Sequence, residues 1–416
     1  MAGLSPARKE SDSWNWSFPA DYRLVPSEYL LPRLANARLL CEQMGLDGLL
    51  FTGCVDVYYL TGTMQQGVLF TDVSGAPHLY LRRHAGRGAQ ESPFEVTAVR
   101  GLTQVAKDMA GHLPAKPRLG ACLDILPVND YLAWQKRLPG LELVDISPAW
   151  ADIKGVKDDF ELSAMAETGQ LAVEVYEKAP EFLKPGVSEV WAAGQIIALA
   201  MSKGHINILR TRGQYMDNYT WHLVSGPEGS MPSTVDAAAS GYGLSPAFPQ
   251  GASLKILRKN EPIVVDIGFC LHGYQTDQTR TYCLGKASAM VKKAHDCLVE
   301  VEEAITAALV PGAVSGEIFD AAQKVAKAHH MEDVFLGQPG HRIRFVGHGL
   351  GLELGAPPYL LQGSKEVVRA NQAYALELKI TLDEGPVGLE NTFVVTESGP
   401  PRLLSPIPNR LFELDV

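Results

Sequence analysis

The sequence predicts an α/β layer domain followed by a larger α+β domain, and three observations carry that reading. Strand and helix signals alternate up to about Leu143, and beyond it the order runs helix pair, strands, helix pair, strands. At 416 residues the chain is also too long for one ordinary core.

Residues 1–28, rich in Ser, Pro and Trp, read as an irregular arm. The first domain is placed at 29–150, opening on a helix from Tyr29 to Met44 that stops at Gly45, a residue suited to a left-handed cap. Asp47 to Thr52 then reads as a buried strand. The segment from Ser147 to Asp158 is the junction, and the second domain is placed at 151–416. Helices are predicted over Asp159 to Leu183 and Val187 to Lys203, parted by Pro185-Gly186. Another pair, Ser288 to Leu309 and Ser315 to His329, is parted by Pro311-Gly312. That recurrence is a weak internal repeat in element order.

The strands between these helices carry the chemistry. Ile263 to Cys270 and Tyr274 to Leu284 flank Leu271-His272-Gly273 and read as a hairpin. With the register centred between Leu271 and His272, Asp266 and Asp277 stand directly opposite on one face. Tyr374 to Leu382 and Val387 to Thr396 form a second hairpin that sets Glu377 opposite Glu390. Cross-strand Cβ atoms lie roughly 4.5–5.5 Å apart, and facing like charges destabilise a sheet unless a cation neutralises them. A single strand carboxylate is ordinarily a solvated residue and a single histidine a packed one. Two such acidic pairs with His348 in Gly-His-Gly instead read as a dinuclear centre, whose oxygen and imidazole donors suit Mn, Co, Zn or Fe.

Composition narrows the classes. A net charge of −10 argues against nucleic-acid binding, and no apolar run approaches the roughly 20 residues of a membrane span. The opening residues lack the apolar core of a signal peptide. Cys41, Cys54, Cys122, Cys270, Cys283 and Cys297 show no metal or redox spacing and read as reduced thiols, so the expected compartment is the cytoplasm.

The segments Asp266 to Thr281, Gly347 to Glu353, Glu377 and Glu390 resemble those of the pita-bread metallopeptidases, which include aminopeptidase P and prolidase. Gly45 to Leu50 and Tyr58 to Gly62 are similar to the creatinase-type amino-terminal domain of that branch. The resemblance implies a pita-bread catalytic domain, a homodimer, and hydrolysis of short peptides at an Xaa-Pro bond with two divalent ions (Mn, Co or Zn). It implies that Asp277 and Glu390 bridge the ions, that Asp266 chelates one and that His348 and Glu377 hold the other. Glu377 then takes the proton of the attacking water.

The chain departs from the family at two histidines. Pro232-Ser233 or Pro249 stands where a Pro-His pair is expected, within an Ala/Gly/Ser/Pro stretch from Met231 to Ser253, and Gly355 replaces the other. His222 and His341 are the candidate substitutes, each more readily an ordinary surface or packed histidine. The family's Glu-Pro-Gly and its later arginine are also missing: Lys379 and Gly388 hold those positions, as cross-strand partners on the ligand face. Lys379 is expected to offset the carboxylate charge or orient Glu390. Arg280 is expected to brace the carboxylates, and Arg82, beside Arg83 and His84, is a candidate for a peptide carboxylate with a solvated cluster as the plainer reading. The competing functions are a non-peptidase hydrolase or lyase on the same fold, and a metal-binding homologue of weak catalysis.

Overall fold

The computed structural model describes residues 18–19, 22–213, 222–234 and 237–415. They belong to two compact units, Met1–Trp150 and Ala151–Val416. Most of the arm predicted at 1–28 lies outside the described residues, and the first helix, Ser27–Gln43, starts two residues before Tyr29. Gly45 follows it with φ +62, as a left-handed terminus requires.

In the first unit, strands β1 (Gly48–Phe51), β2 (Gly67–Asp72), β3 (Pro77–Leu81), β4 (Val96–Ala98), β5 (Arg118–Ala121) and β6 (Glu142–Asp145) form one mixed sheet in the order β4-β3-β2-β1-β5-β6. Leu50, Phe70, Tyr80, Leu119 and Trp134 are among the residues of its core. This is the α/β layer expected from the alternation.

The second unit begins with the helix Asp159–Lys178, held by a capping box in which Asp158 and Glu161 each accept from the other's backbone. Ser188 and Ser288 cap Glu189–Ser202 and Ala289–Ala308 by the same chemistry. Strand β7 (His222–Ser225) pairs with β8 (Pro262–Leu271), which pairs with β9 (Tyr274–Leu284). Strands β10 (Phe345–Leu350), β11 (Leu354–Leu361), β12 (Ala373–Ala375), β13 (Leu378–Leu382), β14 (Gly385–Leu389), β15 (Thr392–Val394), β16 (Arg402–Leu403) and β17 (Phe412–Leu414) complete the unit. The β13–β14 hairpin is a two-stranded sheet of its own, separate from a sheet ordered β11-β10-β12-β15-β16 and one ordered β17-β9-β8-β7.

Two apolar cores flank these strands. The first helix pair packs Leu171, Val175, Ile196 and Ile197 with Val265, Ile267 and Phe269 of β8. The second packs Val291, Leu298, Phe319 and Ala322 with Leu378, Ile380, Val387 and Leu389 of the later hairpin. Each hairpin thus has an apolar side against helices and a polar side left over. Tyr176 secures the first arrangement, its hydroxyl set between the carbonyls of Val265, at 3.0 Å, and Gln278.

His205 and His295 are each 3% exposed, and burial lowers both from an ordinary 6.5 to about 4. His205 Nδ1 accepts the Cys270 N–H at 3.1 Å, a bond that protonation there would abolish. Between pH 6.5 and 4 the unfolded chain binds more protons than the folded one, so stability rises with pH across that window. It is fully present above 6.5 and falls by up to about 3 kcal/mol per histidine towards pH 4. Denaturant midpoints should therefore drop from pH 7 to 4.5, less steeply in His205→Asn; an unchanged slope would remove His205 as a cause.

Candidate metal centre

The β8–β9 turn consists of His272 and Gly273 alone, with φ +53 and +85, the left-handed pair of a type I′ hairpin. Leu271 pairs with Tyr274, Asp266 with Thr279 and Gly268 with Asp277. The sequence-based register was centred one residue too early, because the turn was read as three residues. Asp266 and Asp277 are therefore diagonal and not directly opposite. They still share a face, since the two-residue offset preserves strand alternation. Thr279, opposite Asp266, gives its hydroxyl to Glu390 Oε2 at 2.7 Å.

The second hairpin has the expected register. Leu378 pairs with Leu389, Lys379 with Gly388 and Leu382 with Gly385, which aligns Glu377 and Glu390 just beyond the ladder. The Thr281 hydroxyl meets the Gly388 carbonyl and N–H, both at 2.8 Å, stitching β14 to β9. A Cβ at Gly388 would lie 2.7 Å from Thr279 Cγ2, so no side chain fits there. Lys379 reaches over this position, only 1% exposed, and its ammonium donates to Asp266 Oδ2 at 2.7 Å and to Glu377 Oε1. The lysine therefore clasps Asp266 and Glu377 and does not hold Glu390, which was one of the roles expected of it.

His348 lies on β10 between Tyr359 of β11 and Ala375 of β12. Its flanking glycines have a steric cause: a Cβ at Gly349 would be 2.6 Å from the Ala356 carbonyl oxygen. The ring sets Nδ1 3.2 Å from the Gly349 carbonyl, so Nδ1 carries the proton and Nε2 presents its lone pair. That lone pair faces Glu390 Oε1 at 3.8 Å and Glu377 Oε2 at 3.9 Å.

Donors so arranged repel one another without a cation. Asp277 Oδ1 and Glu390 Oε1 are buried with no hydrogen-bond partner, and the ligand atoms of Asp277, His348 and Glu390 lie within 4.8 Å of each other. A second triad, Asp266, Glu377 and Glu390, meets the same limit. Burial, then the neighbouring Asp266 and Glu377, push Asp277 well above the ordinary carboxylate range; burial, then Asp277 and Glu377, do the same to Glu390. Burial also acts to raise Asp266, but Lys379, His222 and Thr279 outweigh it and lower its value. Burial lowers His348, keeping the imidazole neutral as a ligand must be. Oxygen donors with one imidazole fit a hard or borderline divalent ion.

The other candidates have different surroundings. His222 pairs directly with Asp266 across β7–β8, on the ligand face, with Nε2 2.9 Å from the Ala239 carbonyl. Ala239 belongs to the unusual stretch after Met231, which folds back on itself through Ser240 N–H to Met231 O and Gly251 N–H to Ser240 O. His341 is exposed in a turn where its N–H meets Gln338 O. Arg82 is exposed in the first unit, bonded to Gln66. Gly355, the second residue of β11, has φ +63 beside a register irregularity, a conformation glycine adopts at less cost than other residues.

Arg280 points to the face of β9 away from the carboxylates, correcting its expected role. It is fully buried and donates to the carbonyls of Thr279, Glu390, Ile407 and Pro408 and to the side-chain oxygens of Asn391 and Asn409. It fixes the Glu390 backbone and not a carboxylate. Thr279, Thr392 and Asn391 were not singled out from the sequence, though alternation from Asp277 places Thr279 on the ligand face. Thr392 Oγ1 accepts the Asp277 N–H at 2.9 Å. Replacing Arg280 by Met should leave these acceptors unpaired and cost about 3 kcal/mol or more in denaturant unfolding. A loss below about 1 kcal/mol would remove Arg280 as the brace of this strand.

Comparison with known proteins agrees with the geometry. Residues 163–397 match the model of metallopeptidase family M24, and residues 33–154 match that of the creatinase/prolidase N-terminal domain. The probable dipeptidase PepE of Mycobacterium tuberculosis is 27% identical over 391 residues, covering 91% of this chain and 95% of that protein. The Xaa-Pro dipeptidase of Pyrococcus horikoshii is 28% identical over 366 residues, covering 87% and 93%. The crystal structure of dipeptidase PepE from Mycobacterium ulcerans superposes with a TM-score of 0.78 at 25% identity, covering 95% of this chain and all of that one. The chain is a member of metallopeptidase family M24, a pita-bread enzyme preceded by a creatinase/prolidase N-terminal domain.

Proposed function

We propose that this enzyme hydrolyses short peptides at an Xaa-Pro bond, as a cytoplasmic homodimer, with divalent metal held on the shared face of the two hairpins. The observation that carries the metal reading is the set of buried donors without partners, Asp277 Oδ1 and Glu390 Oε1, faced by the His348 Nε2 lone pair. Neutral burial of that triad is costly, and a cation removes the cost. The Xaa-Pro preference is supported by the Pyrococcus relative, an Xaa-Pro dipeptidase.

A divalent ion bound there would supply a water of near-neutral pKa and polarise the scissile carbonyl. The chain's own groups do the rest. Glu377 presents Oε2 towards His348 while Lys379 holds Oε1, which fixes the carboxylate that receives the proton of the attacking water. Thr279 and Arg280 hold the side chain and backbone of Glu390. His222 is the imidazole we assign to the substrate where the family's own histidines are missing, a reading supported by its pairing opposite Asp266.

Two ions, Mn, Co or Zn, were expected from the five ligands taken together. Lys379 divides those ligands unevenly, since it engages Asp266 and Glu377 and leaves Asp277 and His348 alone.

Mass spectrometry of Mn- and Zn-loaded protein with a pool of Xaa-Pro and non-proline di- and tripeptides should show cleavage before proline. Asp277→Asn should abolish it, together with bound metal. Cleavage confined to non-proline dipeptides would overturn the Xaa-Pro assignment, and no cleavage by metal-loaded protein would overturn the peptide substrate. Chelation should also lower the thermal midpoint of the parent protein, because an ion bound only by the folded state stabilises it. An unchanged midpoint on chelation would count against a structural contribution from the ion.

A further inference from the structure

We propose that the centre holds one divalent ion per chain, on Asp277, His348, Glu377 and Glu390, and that the Lys379 ammonium takes the place of a second ion. This rests on the metal reading above and departs from the two-ion expectation.

The five ligands fall into two triads that share Glu390. One contains only groups that lack a cation: Asp277 and Glu390 each keep a buried oxygen without a partner, and His348 Nε2 faces the latter. The other, Asp266 with Glu377 and Glu390, already has a cation in it. Lys379 Nζ lies 2.7 Å from Asp266 Oδ2 and bonds Glu377 Oε1 directly.

The backbone leaves that ammonium little choice. Glu377 immediately precedes β13 and Lys379 is two residues further along, so in extended backbone both side chains leave on the same face. Its stem crosses Gly388, where even a Cβ would come within 3.4 Å of Lys379 Cγ. At 1% exposure the side chain is buried and its head is satisfied by Asp266 and Glu377.

A second ion on Asp266 and Glu377 would need oxygens at about 2.0–2.2 Å, the two carboxylates the ammonium engages. Ion and ammonium would then stand within a few ångströms in a buried pocket, where like charges repel strongly. Glu377 can serve both cations without conflict, since Oε1 turns to Lys379 and Oε2 towards His348.

The test is metal content by mass spectrometry and Mn(II) electron paramagnetic resonance on the full chain, saturated with Mn(II) alone and freed of excess. The unaltered protein is expected to hold one ion per chain and to show the hyperfine pattern of an isolated Mn(II). Lys379→Ala is expected to rise to two ions per chain with a spin-coupled signal, and Asp266→Asn to keep its single ion. Two ions in the unaltered protein, one ion still in Lys379→Ala, or loss of the ion in Asp266→Asn would each overturn the proposal. No ion in the unaltered protein would instead overturn the metal reading itself. Should Lys379→Ala fail to fold, the unaltered protein and Asp266→Asn decide the matter.

Discussion

The constraint on which this molecule depends is the repulsion among four carboxylates gathered on one buried face. Asp277, Glu377 and Glu390 are each less than a tenth exposed, and Asp266 joins them through Lys379. Water cannot screen charges there, so the repulsion pushes Asp277 and Glu390 well above the ordinary carboxylate range, a cost that cations would relieve. Lys379 is one such cation, carried by the chain; in the proposed arrangement a divalent ion would complete the balance on the side that Lys379 does not reach. The remaining architecture serves to bring these groups together and to keep them from relaxing apart.

Two hairpins do this because each has one apolar and one polar side. The apolar sides are bound to helix pairs by cores that include Val175 and Ile267 on one flank and Leu298 and Leu378 on the other. The polar sides meet, joined by Thr281 to the backbone of Gly388 and by Thr279 to Glu390. Arg280, alternating between these threonines, works on the opposite face and ties the Glu390 carbonyl to the chain near Pro408. Strand alternation thus lets two consecutive residues, Thr279 and Arg280, act on two sides of Glu390, while Thr281 holds the nearby Gly388.

Much of this was legible in the sequence, for identifiable reasons. The cap at Gly45, the Pro-Gly breaks and strand alternation are local, and they located the helices and both hairpins to within a few residues. The second register was recoverable because Asp383-Glu384 makes an even turn between evenly matched strands. The first was misjudged by one position because His272 adopts φ +53, a conformation sequence assigns readily to Gly273 but not to a histidine. Arg280 was misread for another reason: its basic charge beside acidic ligands suggested a partnership that the alternation from Asp277 rules out. Lys379 was placed on the correct face by register, while its choice of Asp266 and Glu377 over Glu390 depends on how the two hairpins stack, a tertiary relation no local pattern carries.

The missing histidines bear on the same economy of charge and space. Gly355 takes a left-handed φ inside β11, and the described residues between Met231 and Ser253 bond to one another and meet His222 through Ala239. The chain has therefore reshaped the two segments that would carry those imidazoles, and it presents His222 from β7, one strand away from Asp266. A lysine inside the ligand cage and a histidine beside it are connected changes in one respect. Lys379 neutralises Asp266, so His222 faces an ion-paired carboxylate and not a bare one, and burial lowers its value. A neutral imidazole in that position has one donor and one acceptor nitrogen, whereas a protonated one could only donate and would compete with Lys379 for the Asp266 carboxylate. The reshaped loop, the displaced cation and the lone neighbouring imidazole are for that reason better understood as one altered site than as separate losses.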